Sequence, residues 1–294
     1  MKLCYNEACG RDCSTLETDL RLCEELGFDY IEIRLDMLSR YLWTHTMGEL
    51  RNWFASHRLK PHALNAVYLQ GGLLSERASA GENQKFLEQF CFALYAAEEL
   101  GSGAVIVVPP FSLDGGPYQG EREEAEADCA RMLSHLGRLA EERGIRLCFE
   151  IVGLRKSAVR TMDAAKRVVE AVNLPNVGYV VDSYNLYLYH QMNDFSGMAS
   201  LGLERLFAAH INNADLVPEE EMAQSCRRFP DQGVVNLDNY LRALREMGYD
   251  GMISVETFRP EYWRRPPEWV VRTAYDTTRE VLERNGCWEK EDTL

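Results

Sequence analysis

Eight short runs rich in β-branched and aromatic residues recur along this chain, each separated from the next by a helical stretch, and that alternation leaves very few possible folds. The runs are LCYNEA near Leu3, DYIEIR near Tyr30, KPHALNAV near His62, AVIVVPP near Val105, IRLCFEI near Leu147, VGYVVD near Tyr179, RLFAAHI near Phe207 and GMISVE near Ile253. Between them lie amphipathic patterns such as LETDLRLCEELG, MGELRNWFASHR, NQKFLEQFCFALYAAEELG, AEADCARMLSHLGRLAEERG, TMDAAKRVVEAV and LDNYLRALREMG. Several of these end in a glycine suited to a left-handed cap. A helix between successive strands makes each connection a right-handed crossover, so the sheet is parallel, and eight strands are the number that closes it.

The expected fold class is therefore α/β: a single (β/α)8 TIM barrel with an all-parallel eight-stranded sheet. It spans 1–294 as one domain, closed by the helix WVVRTAYDTTREVLERNG, with 288–294 as a frayed tail. A doubly wound open sheet is the rival, weakened by the strand count and by the lack of a GxGxxG turn. Two irregular stretches, YLQGGLLSERASAGEN and PPFSLDGGPYQGERE, follow the third and fourth strands and read as loops over the barrel mouth.

A chain of 294 residues with 46% apolar content is ample for one such core. Its formal net charge of −14 argues against a nucleic-acid partner, which needs a basic stripe. The opening MKLCYNEACGRDC lacks the apolar segment of a signal peptide, and no apolar run approaches about 18 residues. A soluble, cytoplasmic protein with no membrane association is expected; a homo-oligomer is compatible with the chain. The nine cysteines are odd in number and belong to a reducing compartment, so they are expected as free thiols. Cys91, Cys129 and Cys148 read as small core residues, whereas Cys4, Cys9 and Cys13 lack the spacing of a zinc site.

Four of the strand runs end in a side chain able to bind a metal: Glu150 in RLCFEIVG, Asp182 in VGYVVDSYN, His210 in RLFAAHINNAD and Glu256 in GMISVETF. Each emerges at the carboxyl end of a strand, where parallel barrels build their active sites. Three carboxylates and an imidazole form a hard, oxygen-rich set, suited to one divalent cation, Mn2+ foremost, with Mg2+, Co2+ or Zn2+ as alternatives. Such a cation, sharing adjacent oxygens of a polyol or sugar, polarises a carbonyl and stabilises the enediolate left when the neighbouring carbon loses a proton. Glu150 and Glu256 are the candidate catalytic carboxylates, facing each other across the substrate. The competing explanation is a chance set of polar strand caps.

These four residues, together with RRFPDQGVVNLDNYLRALREMGYDGMISVETFRPEYW, resemble the metal-dependent sugar isomerase/epimerase superfamily with the xylose isomerase-like TIM barrel. MKLCYNEA, DLRLCEELGFDYIEIR, LKPHALNAV, VVDSYN and SVETFRPEYW follow the order seen in its inosose isomerase (2-keto-myo-inositol isomerase) family, so the resemblance runs through nearly the whole chain. It implies a cation held by Glu150, Asp182, His210 and Glu256. It also implies interconversion of 2-keto-myo-inositol and 1-keto-D-chiro-inositol through a cis-enediol. Ketose 3-epimerase and inosose dehydratase are the alternatives that share this metal chemistry. A metal-dependent endonuclease would need a basic groove that the charge does not provide, and a silent sugar-binding barrel would lack proton exchange.

Further candidates line up as substrate contacts. Arg227 matches a family arginine and either holds substrate hydroxyls, pairs with a ligand carboxylate, or is an ordinary surface arginine. Arg259 follows the last ligand. Glu32 and Arg34 alternate on one face of the second strand, pointing into the cavity or pairing with each other. Asn65 binds a hydroxyl or satisfies loop backbone. His62 either reaches the cavity or is a hydrogen-bonded core histidine, and His190 reads as solvent-facing. Two departures from the family pattern stand out: Asn185 occupies the histidine position of Asp-x-x-His, and the PGxG turn reads Pro230-Asp231-Gln232-Gly233. An amide at 185 can hydrogen-bond but cannot relay a proton near neutral pH.

Overall fold

Each apolar run does become a strand, because both of its faces are covered: the inner by the barrel bore, the outer by helices. The computed structural model describes residues 1–189 and 191–288. His190, and all but Trp288 of the expected tail 288–294, lie outside the described residues. The barrel strands are β1 (Lys2–Asn6), β2 (Tyr30–Arg34), β3 (Lys60–Tyr68), β4 (Ala104–Val108), β5 (Arg146–Glu150), β6 (Val177–Asp182), β7 (Leu206–Ile211) and, after two short strands, β10 (Met252–Val255). Every neighbouring pair is parallel, and β1 pairs with β10 to close the ring. The short strands β8 (Asn213–Ala214) and β9 (Arg227–Arg228) form an antiparallel ribbon outside the barrel.

The expected helices appear as α1 (Leu16–Leu26), α3 (Met47–Ser56), α4 (Ala80–Leu100), α5 (Arg122–Glu141), α6 (Met162–Val172), α8 (Leu237–Glu246) and α9 (Pro267–Arg284). Capping boxes start α3 (Thr46 with Glu49) and α4 (Ser79 with Glu82), and Gly27 at φ 101° ends α1 with its N–H on the Cys23 carbonyl. Two short helices have no counterpart in the sequence reading, α2 (Leu35–Tyr41) and α7 (Ser183–Leu188). One or two turns are too few for a periodic pattern to emerge. Among the described residues no helix is long and apolar enough to cross a membrane. All nine cysteines are free, but Cys91 is exposed rather than core: it sits on the outer face of α4, away from the buried stripe that includes Phe90, Ala93 and Leu94.

A buried acidic pair lies beside the first strand. Glu7 and Asp19 are fully buried, and Glu7 Oε1, Asp19 Oδ2 and the Tyr5 hydroxyl all lack a partner. Burial pushes Asp19 up to about 7, and burial together with the Asp19 charge raises Glu7 well above the carboxylate range. A folded-state pKa above the unfolded value near 4 means that stability falls as pH rises from about 4 to about 7. Asp19→Asn replaces an orphaned acceptor by a donor. It is expected to raise stability at pH 8 by about 1–3 kcal/mol and to flatten the pH dependence, as read by urea unfolding at pH 5 and 8.

Candidate metal centre

Strand alternation carries the polar residues inward at the carboxyl end of the barrel. Glu150 and Asp182 close β5 and β6, His210 sits one residue before the end of β7, and Glu256 follows β10 directly. All four are buried. Glu256 is the hub. Its Oε1 accepts from Asn6 Nδ2 at 3.0 Å and Asn65 Nδ2 at 3.2 Å, while its Oε2 lies 3.1 Å from Arg227 Nη1 and 3.4 Å from His210 Nδ1. Arg227 Nη1 also donates to Asp182 Oδ2 at 2.6 Å, so one guanidinium bridges two of the expected ligands. Glu150 accepts from Asn185 Nδ2 at 2.8 Å.

Local structure explains this convergence. Asp182 Oδ1 caps α7 by accepting the Asn185 N–H at 2.7 Å, which sets Asn185 one turn on, facing Glu150. The close approach needs Gly153, where an added Cβ would lie 2.0 Å from the Asn185 carbonyl oxygen. Glu32 enters from β2, accepting from Asn6 and Asn65 and lying 3.1 Å from His210 Nε2. In the PDQG turn Asp231 is not left-handed; Gly233, at φ 150°, takes the strained position against Asn213.

Several sequence candidates take other places. Arg227 is fully buried, not a surface residue, and its Nη2 has no partner. Arg34 does not pair with Glu32; its Nε bonds Asp36 Oδ1 at 2.9 Å beside the mouth. Arg259 stays outside the cluster, its guanidinium 2.5 Å from Asp215 and 3.3 Å from Glu261, tying neighbouring loops together. His62 does not reach this site at all and lines the opposite end of the barrel. Three contributors went unnoticed in the sequence: Asn6, Asn212, which donates to Asp182 Oδ2 at 2.7 Å, and Gln224, which accepts from Arg227 Nε at 2.6 Å. Asn6 ends its strand just as the ligands do, and that was the available signal.

The charges are unevenly held. Burial, then the negative charges of Glu256 and Asp182, push Glu150 up to about 8. Burial would raise Glu256 as well, but His210 and Arg227 outweigh it and hold it down near 2. Burial opposes a proton on His210, yet Glu32 and Glu256 raise it well above the imidazole range. Four buried carboxylates thus face one guanidinium and one imidazole. His210 Nδ1 is buried and, at 3.4 Å from Glu256, outside hydrogen-bond geometry. An oxygen-rich, net-negative pocket with a nitrogen held free on one side fits a divalent cation, which would displace the imidazole proton. Among the described residues, Glu32, His210 and Glu256 bring ligand atoms within 4.8 Å of one another.

A closed parallel barrel with such a cluster at its carboxyl-terminal mouth is built as a metal-dependent barrel enzyme. Residues 20–280 match the family model described as the xylose isomerase-like TIM barrel. An inosose isomerase of Halalkalibacterium halodurans is 34% identical over 98% of this chain and 99% of its own length. That of Bacillus subtilis is 34% identical over 97% of this chain and 99% of its own. The crystal structure of IOLI protein with a bound zinc atom is 33% identical, covers 97% of this chain and 99% of that one, and superposes with a TM-score of 0.87. The chain belongs to the xylose isomerase-like TIM barrel family, within the group of the inosose isomerases.

Proposed function

We propose that this protein interconverts 2-keto-myo-inositol and 1-keto-D-chiro-inositol by moving hydrogen between adjacent ring carbons through a cis-enediol. Family membership supports the reading, and the observation that carries it is the unequal treatment of two buried glutamates in one bore. Glu256 is pinned as an anion by Asn6, Asn65 and Arg227. Glu150 has a single neutral amide on it and sits near 8. A carboxylate of raised basicity suits proton abstraction from carbon near neutral pH.

Glu150 therefore takes the proton from the hydroxyl-bearing carbon and returns it to the neighbouring carbonyl carbon. The hydroxyl proton passes from one ring oxygen to the other, so one C–H bond breaks, one forms, and no redox partner is required. Glu150, Asp182, His210 and Glu256 are the residues that would hold one divalent cation, Mn2+ by the hardness of the donor set. When bound, it polarises the vicinal substrate oxygens and acidifies the C–H between them. Glu32, on His210 Nε2, orients the ring so that Nδ1 faces inward, which makes Glu32 a supporting carboxylate rather than a ligand. The unpartnered Arg227 Nη2 and Asn185 Oδ1 are a donor and an acceptor for substrate hydroxyls, with Asn65 on the adjoining wall. Arg34 stands at the rim. The partner is a small polyol, and the setting is cytoplasmic.

The test is proton NMR of 2-keto-myo-inositol incubated in D2O with Mn2+-loaded enzyme, the metal being removed before the spectrum. The 1-keto isomer carrying deuterium next to its ketone is the expected product. Loss of water instead would make the enzyme an inosose dehydratase, and turnover confined to ketoses a 3-epimerase. No exchange on any of these substrates would refute the reading.

A further inference from the structure

The amino-terminal end of the barrel, opposite the metal centre, carries a second cavity of about 500 Å3. Alternation along the strands that brings carboxylates inward at the top brings basic residues inward at the bottom. Lys2 starts β1, His62 lies early in β3 and Arg146 starts β5, so three odd-numbered strands contribute one layer. All three line the cavity, with Tyr30, Phe207 and Tyr249 as aromatic walls.

This layer is not a settled ion-pair network. Among the described residues Arg146 makes no ion pair with any carboxylate; its guanidinium lies over the Phe207 ring at 5.1 Å. His62 packs edge-on against Tyr30, ring centroids 5.7 Å apart, and its buried Nδ1 has no partner. Burial keeps His62 neutral, with its pKa pushed down to about 4, so the imidazole enters as a hydrogen-bonding group and not as a third charge. The acidic residue on the cavity wall, Asp250, projects into solvent with its side chain 88% exposed. A pit of this sign on a chain of net charge −14 is local and specific.

We propose that this cavity is a second ligand site that takes a phosphomonoester, a phosphorylated sugar or polyol, with Arg146 and Lys2 as charge partners and His62 as a hydrogen-bond partner. A planar guanidinium takes two oxygens of a tetrahedral anion and an ammonium a third, which a carboxylate cannot offer. The space far exceeds a bare phosphate, and aromatic walls suit the apolar face of a sugar ring. The assignment is independent of the chemistry at the metal centre.

The experiment titrates the full chain with glucose 6-phosphate, inorganic phosphate and glucose, following heat of binding and the 1H–15N signals of the histidine rings. Saturable binding of glucose 6-phosphate that shifts His62 but not His210, weakened at least about tenfold by Arg146→Gln, is the expected result. Arg146→Lys, which keeps the charge, should retain binding within about threefold, and Glu150→Gln should bind as the wild type. Glucose should not bind here. The absence of saturation up to about 10 mM overturns the proposal. So does binding that both Arg146→Gln and Lys2→Gln leave unchanged, or ligand-induced shifts confined to His210. Inorganic phosphate binding as tightly as the sugar phosphate would overturn the part assigned to the aromatic walls.

Discussion

Glu150→Gln is expected to lower turnover of 2-keto-myo-inositol by about 1000-fold or more while leaving the folded protein as stable as the wild type. The substitution removes a charge that the site holds poorly: burial, Glu256 and Asp182 all act against it, and its one partner is the Asn185 amide. A glutamine oxygen can still accept from that amide. Glu256→Gln should differ in kind. Its carboxylate faces Arg227 at 3.1 Å and His210 at 3.4 Å in a fully buried setting. Removing one member of a buried charge network leaves the other uncompensated, a loss of about 3–5 kcal/mol. Urea unfolding beside steady-state kinetics separates the two. Equal loss of stability in both variants would show that Glu150 is structural, and retained turnover in Glu150→Gln would remove it as the base.

Stripping the metal is the second large effect. A chelated sample, verified as metal-free by elemental analysis, should lose turnover and melt about 5 °C or more below the loaded enzyme at pH 7.5. It should recover both on addition of Mn2+. The reason lies in the charge inventory, since Glu32, Glu150, Asp182 and Glu256 are buried against Arg227 and His210 alone. A ligand that binds only the folded state at 100 times its dissociation constant contributes about 2.7 kcal/mol. Full activity in verified metal-free protein would end the metal-dependent reading. An unchanged melting temperature would mean that the Arg227 bridge already balances the site.

Much of this could be read before any coordinates. The strands were visible because a strand covered on both faces must be apolar throughout, and the runs AVIVV and VGYVVD admit little else. Glu150, Asp182, His210 and Glu256 stood out because a charged residue that ends such a run must emerge at the barrel mouth. Hidden from the sequence were features set by depth and by partners. Arg227 looks in sequence like any arginine before a turn, but the ribbon of β8 and β9 carries it inward to bridge Asp182 and Glu256. Arg259 looks equally suited to the pocket, yet Asp215 lies 2.5 Å away and claims it.

The alternation of apolar runs with helices, and the titratable residues at the ends of those runs, were settled by local chemistry, since burial on two faces and the period of each element depend on neighbours along the chain. Which glutamate is restrained and which is left basic, which nitrogen of His210 stays open, and why His62 and Arg146 face a different cavity from Glu150 were settled by residues remote in sequence. Asn6 reaches Glu256 across 250 positions, and no periodicity records such a contact. Closing the ring fixes which side chains share the bore and in which layer, and the electrostatics follow from that neighbourhood.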